Sequence, residues 1–228
     1  MKVNKEWINI SDMMSGLMMV FLFIAIAFMV QIQSEQQAVK EIAMTYRKSQ
    51  QSLNQDLHQE FEKDLQKWGA EITKDNIFRF NSPDVLFQSG SSKISNKFKK
   101  ILNDFFPRYI KLLTSKKYKN EIDEIRIEGH TSNFWGNAKS KSAIYLNNMR
   151  LSQNRANNVL AYCYNISNPE VLNNKQWLEH KFRANGMAFS KLILTKSGKQ
   201  DFKKSRRVEF KVLTKAQEKI YRIIEKLN

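Results

Sequence analysis

From Met13 to Val30 the chain runs through eighteen residues without a charge, with Ser15 as the one polar side chain among them. Ile8, Ile10 and Ile32 widen this apolar stretch to about 25 positions, and a bilayer core needs about 20 helical residues. The pattern predicts a transmembrane helix. Neither glycine nor proline occurs between Gly16 and Gly69, so a helix can continue through Gln31 to Trp68. There, Ile32, Val39, Tyr46 and Leu53 recur every seven residues, with Ile42 and Leu57 on a second seam. That spacing suggests a weak parallel coiled coil and a homodimer. Ser49 and Asp56 interrupt the seam, and a solvated spacer fits the same polarity.

The texture changes at Ile77. Short alternating runs at Ile77–Phe80, Val85–Phe87, Ile122–Gly129, Phe182–Asn185 and Val208–Leu213 read as strands. Ser95–Leu113 reads as a helix with Phe98, Ile101, Leu102, Phe105 and Phe106 on one side. Leu151–Tyr164 reads as a second helix, capped by Asn147 or Asn148. The expected fold is α+β: one N-terminal transmembrane helix over residues 1–33, a helical linker over 34–75, and a β-α-β-α-β two-layer domain over 76–228 with helices on one face.

Charge is distributed as unevenly as hydrophobicity. Residues 76–228 hold 30 basic and 12 acidic groups, net +18 of the chain's +16, while residues 31–75 are net −2. In a cytoplasmic protein such a surplus would suggest nucleic acid. Here Lys2 and Lys5 precede the apolar run and Gln31–Gln37 follow it with the single charge of Glu35, so the N-terminus is expected in the cytoplasm and the basic domain across the inner membrane, in the periplasm. Envelope polymers are then the expected anions, and nucleic acid is not an expected partner. A cleaved signal peptide is the competing reading, with Ala25-Ile26-Ala27 as a cleavage site. Apolar Phe28, Met29 and Val30 beyond that site, and Asp12 at the head of the run, speak against it. One cysteine, Cys163, excludes a disulfide within the chain and a multi-thiolate metal centre, and no cofactor or metal is expected.

Asp12 is the acid of the apolar region. A carboxylate there costs several kcal/mol unless it is protonated, paired or facing a polar path, so it marks function. Ser15, Gly16 and Met19 follow at i+3, i+4 and i+7, and small residues there let another helix pack closely. The alternative is that Asp12 caps a helix starting at Met13. The run Ser11-Asp12-Met13-Met14-Ser15-Gly16-Leu17-Met18-Met19-Val20-Phe21-Leu22 resembles the transmembrane signature of MotB-type stator subunits, and its wording is particularly similar to the ZorB family of Zorya anti-phage systems. The resemblance implies that Asp12 carries an ion, a proton by default, and that a MotA-like membrane subunit, ZorA-like in Zorya, forms a ring of five around two copies of the chain. A flagellar-type stator, a passive envelope tether and a signalling or energy-coupling subunit are the alternatives.

Three further segments resemble the OmpA-like peptidoglycan-binding domain: Leu86-Phe87 with Gly90 and Ile94; Gly129-His130-Thr131 with Asn148, Leu151, Ser152, Arg155, Ala156 and Val159; and Arg206-Arg207-Val208-Glu209-Phe210. The resemblance implies peptidoglycan as partner and Thr131, Ser132, Asn148, Leu151 and Arg155 as its binding residues. Physically, Asn148, Leu151 and Arg155 fall on one helix face at i, i+3 and i+7, and the Arg155 fork suits the carboxylate of a diaminopimelate stem peptide. A structural ion pair is the plainer role for a helix arginine. Ser132 stands where the family has an aspartate that meets an ammonium, which puts the strength and selectivity of binding in question. Phe134, Trp135, Lys139 and Lys141 in the loop from Asn133 to Asn147 are candidate replacement contacts or local packing. His130 has no nucleophile or carboxylate pair arranged with it in sequence, and no enzymatic activity is expected.

Overall fold

The computed structural model describes residues 5–81, 83–88, 90–136, 138 and 140–215. Lys2 and Lys139, and the side chains of Lys5, Ile8, Ile42 and Tyr46, lie outside the described residues. The chain divides into two compact units, residues 5–48 in one and 49–215 in the other among those described.

The first unit is the N-terminal part of helix α1 (Lys5–Trp68). Its segment Ile10–Glu41 is long and apolar enough to cross a membrane, and none of the most apolar window is buried within the chain. Because α1 begins at Lys5, Asp12 lies inside the helix; an N-cap needs non-helical backbone, so capping at Met13 is not its role. Ser15 Oγ donates to the Ser11 carbonyl at 2.8 Å, satisfying the hydroxyl locally.

The second unit opens with the C-terminal part of α1. Leu53, Leu57, Phe61 and Trp68, at helical spacing, are all buried in its core. The last members of both expected coiled-coil seams are therefore spent inside the chain, and among the described side chains of that pattern Ile32 and Val39 are exposed. Asp56, which interrupts the seam, accepts from Tyr118 Oη at 2.5 Å and Lys117 Nζ at 2.7 Å. Arg108 donates to Glu60 Oε1 at 2.7 Å and Asp64 Oδ2 at 2.9 Å and lies 4.8 Å over the Phe61 ring. Gly69, at φ +62°, ends the helix in the left-handed conformation that a side chain would oppose.

The remaining elements are β1 (Ala70–Ile72), β2 (Ile77–Phe80), α2 (Pro83–Leu86), α3 (Asn96–Leu113), β3 (Ile122–Gly129), α4 (Lys141–Tyr164), α5 (Pro169–Leu172), α6 (Lys175–Lys181), β4 (Phe182–Gly186), α7 (Phe202–Ser205) and β5 (Val208–Thr214). The fold is α+β as expected. The sheet runs β1-β2-β5-β3-β4, with β3 and β4 parallel and the other neighbours antiparallel. The expected strand at Val85–Phe87 is instead the end of α2, with Phe87 alone bridging Ile94. Proline fits a first helical turn, and the Ser95 hydroxyl takes the Val85 carbonyl while capping α3.

Register gives the sheet two faces of opposite character. Phe78, Phe210 and Ile127 align in one row, with Ile125, Val212, Phe80 and Val208 on the same side, and these pack against α3 residues such as Phe105 and Phe106. Glu71, Arg79, Glu209 and Glu128 align across β1, β2, β5 and β3 on the other.

Candidate functional site

Strand β3 ends at Gly129, against the backbone of α4. A Cβ there would press into the Ser152 carbonyl oxygen and sit 3.1 Å from its carbon, so only glycine lets strand and helix meet this closely. Gly186 at the end of β4 is placed likewise: a Cβ there would come 2.6 Å from Gln153 N. This contact delivers the loop beginning at His130 to the helix face. Thr131 N donates to the Ala188 carbonyl at 2.8 Å, and Ala188 N donates to Ser152 Oγ at 3.0 Å, tying loop to helix through one residue. Thr131 and Ser132 are both buried, and Thr131 Oγ1 has no hydrogen-bond partner.

Helix α4 begins ten residues earlier than the sequence suggests. Ser140 is its cap, with Oγ accepting from Ala143 N at 3.1 Å. Asn148 is no cap; it sits buried mid-helix and its amide donates to the carbonyls of Ile144 at 3.0 Å and Phe134 at 3.4 Å. An asparagine can accept from backbone N–H groups as a cap or donate to backbone carbonyls mid-helix, which is why residue type alone misplaced the boundary. Of the loop candidates, Phe134 is exposed, Trp135 is half-buried, and Lys141 opens the helix.

Arg155 is only 8% exposed. Its Nε donates to the Ser91 carbonyl at 2.9 Å and its guanidinium lies 4.8 Å over the Phe87 ring. Neither Nη group has a partner, and no ion pair to Arg155 exists among the described residues. Burial, with Arg206 adding repulsion, pulls its pKa down to about 10, which still leaves it charged at neutral pH. A buried guanidinium without an anion is costly, so the arrangement favours a carboxylate arriving from outside. Among the described residues, no ion pair gives this arginine a structural role.

Asn148, Leu151 and Arg155 share one helix face, Leu151 half-buried between the two polar groups. Thr131 joins them through Ala188 and Ser152. Sequence reasoning named Ser152 as part of the motif but gave it no role, and it missed two other parts that position this set: the Ser91 carbonyl and Asn158, whose amide donates to the Ser92 carbonyl at 2.9 Å. Ser152 lies four residues after Asn148 and three before Arg155, a spacing that marked it for the same face. The Ser91 and Ser92 carbonyls left no signal beyond Gly90, whose φ of +66° turns that loop.

Behind the site, His130 Nε2 stands 3.3 Å from Glu209 Oε2 and 3.5 Å from Glu128 Oε2, all three residues buried. Glu209 and Glu128 are paired directly across β5 and β3, where like charges repel, and His130 stands between them. Arg207 and Arg79 donate to Glu209 Oε1 at 2.6 and 2.7 Å, and Lys191 lies 3.7 Å from Glu128. The three donor groups lie close enough to hold a metal ion. With Arg79, Arg126, Arg207 and Lys191 already matching the carboxylates Glu71, Glu124, Glu128 and Glu209, a divalent cation would meet no surplus negative charge. The cluster fits a metal poorly and serves as a neutralised polar row. Cys163 is buried and its thiol pKa is pushed up by that burial, which keeps it protonated.

Comparison with known proteins places these features in context. Residues 86–208 match the OmpA family. Over 223 residues, 97% of this chain and 93% of the relative, the sequence is 48% identical to the Zorya protein ZorB of Escherichia coli (strain Crooks). Among solved structures, the cell wall anchor of the T6SS from Pseudomonas aeruginosa is 19% identical at a TM-score of 0.47, covering 69% of this chain and 96% of that one. The periplasmic domain of Helicobacter pylori MotB is 18% identical at a TM-score of 0.45, covering 69% and 97%.

Proposed function

Because the chain belongs to the ZorB family and carries an OmpA-family domain, we propose that it is the peptidoglycan-anchored subunit of an ion-driven inner-membrane motor complex serving anti-phage defence. The observation that carries this reading is the identity over nearly the whole chain, which includes both the apolar helix and the domain. Two copies pair through their N-terminal helices, N-termini in the cytoplasm, inside a ring of five MotA-like or ZorA-like subunits. Asp12 is the ion carrier. Its ionised form is costly in an apolar environment, and its neutral form enters one freely, so loading and unloading a proton alternately admits and expels it and drives the ring. In the periplasm, Arg155 takes the carboxylate of a diaminopimelate stem peptide, with Thr131, Ser132, Asn148 and Leu151 around it, and so fixes the dimer against the cell wall. Residues 1–33 are then the membrane segment; of the expected linker over 34–75, residues 49–75 pack with the domain, which leaves 34–48 to join the membrane segment to the anchor.

The test is ion flux in vesicles holding this chain with its partner subunit. Asp12→Asn is expected to abolish the flux while the complex stays assembled. Equal flux in native and mutant complexes would leave a tether in place of a motor. For the anchor, Arg155→Ala with Asn148→Ala is expected to reduce retention on isolated sacculi, and unchanged retention would remove peptidoglycan as the ligand.

A further inference from the structure

The charge composition of the stem-peptide site discriminates among peptides. Among the described residues, both Nη groups of Arg155 are without a hydrogen-bond partner, and the charge of Arg206 adds repulsion. Ser132 contributes a hydroxyl, and Asn148 donates its amide hydrogens to Ile144 and Phe134, which leaves its carbonyl oxygen as what it offers a ligand. The buried acids behind the site, Glu128 and Glu209, are engaged by His130, Arg207, Arg79 and Lys191. The site therefore presents the Arg155 cation and neutral groups, with no acid bound to that guanidinium among the described residues.

A free amino-acid end carries an ammonium on the same carbon as its carboxylate. Bringing that carboxylate to Arg155 brings the ammonium into the field of its guanidinium, with no anion among the described residues to balance it. Acylating the amine removes the charge and leaves a neutral N–H, which the Asn148 carbonyl can accept. Resting on the reading of this site as a stem-peptide site, we propose that the chain selects stem peptides in which the distal amine of the diamino acid is acylated, as in a cross-link, over those in which it is free. The anchor would thereby prefer the load-bearing, cross-linked part of the wall.

The experiment is calorimetric titration of the full-length chain in detergent with two probes, a diaminopimelate tetrapeptide and the same peptide acetylated on its distal amine. The acetylated probe is expected to bind about tenfold tighter, the scale of one weak like-charge contact. Arg206→Gln, at a half-buried position, is expected to shrink the ratio, and Ser132→Asp to reverse it. Equal binding, or tighter binding of the free-amine probe, by the native chain overturns the proposal and leaves the stem-peptide site standing. A ratio unmoved by both variants overturns the electrostatic cause assigned to it. Binding of neither probe overturns the stem-peptide reading itself.

Discussion

In residues 5–48, Met13, Met18 and Phe21 stand 78%, 74% and 62% exposed, whereas in the second unit Phe78, Phe80, Phe105 and Phe210 are fully enclosed. Both regions are rich in large apolar side chains, yet one surrounds them with its own chain and the other supplies nothing to cover them. The difference follows from geometry. A single helix has no second layer to bury its apolar surface, so its stability in that form rests on an external apolar phase. The second unit closes a sheet, three long helical segments and a cluster of rings on one another, and aromatic edges meet faces throughout it.

The largest effect that would test this contrast is Phe105→Ala. Its ring meets Phe61, Phe78, Phe80 and Phe210 at centroid distances of 4.5 to 5.4 Å. Denaturant unfolding of the full chain in detergent, followed by tryptophan fluorescence, is expected to show about 3–5 kcal/mol lost. Phe21→Ala is expected to leave the same transition within about 0.5 kcal/mol. Comparable losses from the two would break the comparison, since they would make the first helix part of the same cooperative core.

A smaller effect sharpens the account of how that core positions the site. Gly129→Ala places a methyl group against the Ser152 carbonyl, and overpacking of this kind costs about 1–3 kcal/mol. It also pushes Thr131 and Ser132 away from α4, so sacculus retention is expected to fall even where the variant remains folded. Gly136→Ala, which meets open space, is the control and is expected to change neither quantity.

The two regions also differed in how openly the sequence described them. Eighteen uncharged residues in a row read directly as a membrane helix, with a cleaved signal peptide as the one competitor, and the strands Ile77–Phe80 and Ile122–Gly129 followed from period-two patterning. The seven-residue recurrence through Leu53 was ambiguous, because i, i+4 and i+8 positions face a neighbouring chain or a fold's own core equally well. The structure resolves Leu53 and Leu57 into the core. Helix α4 was legible as a helix and as a binding face, while its start was not, since Ser140 and Asn148 are both good caps and only backbone geometry chooses between them. Least legible were the contacts made by main-chain atoms. The carbonyls of Ser91 and Ala188 belong to no residue type, so nothing in the letters reveals them.

The smallest effect concerns pH and separates the polar row of the second unit from its apolar core. Burial raises the pKa of Glu209 and of Glu128, but His130 beside both, with Arg207 on Glu209 and Lys191 near Glu128, outweighs it and holds each below the ordinary value of 4.5. A carboxylate whose folded pKa is depressed adds stability that is complete above its unfolded pKa and drains away as pH falls through that value towards the folded one. Lys211 adds to the same field at Glu128, and Arg79 donates to Glu209 from β2. The contribution of these two carboxylates to stability is therefore expected to be complete above 4.5 and to drain away below it, with roughly 1 kcal/mol lost at Glu209 by one unit below that value, read by thermal unfolding. Glu209→Gln should flatten that decline, since the amide cannot titrate, while Phe105→Ala should lower the whole curve without changing its slope. A decline that persists undiminished in Glu209→Gln would move the acid sensitivity away from this row.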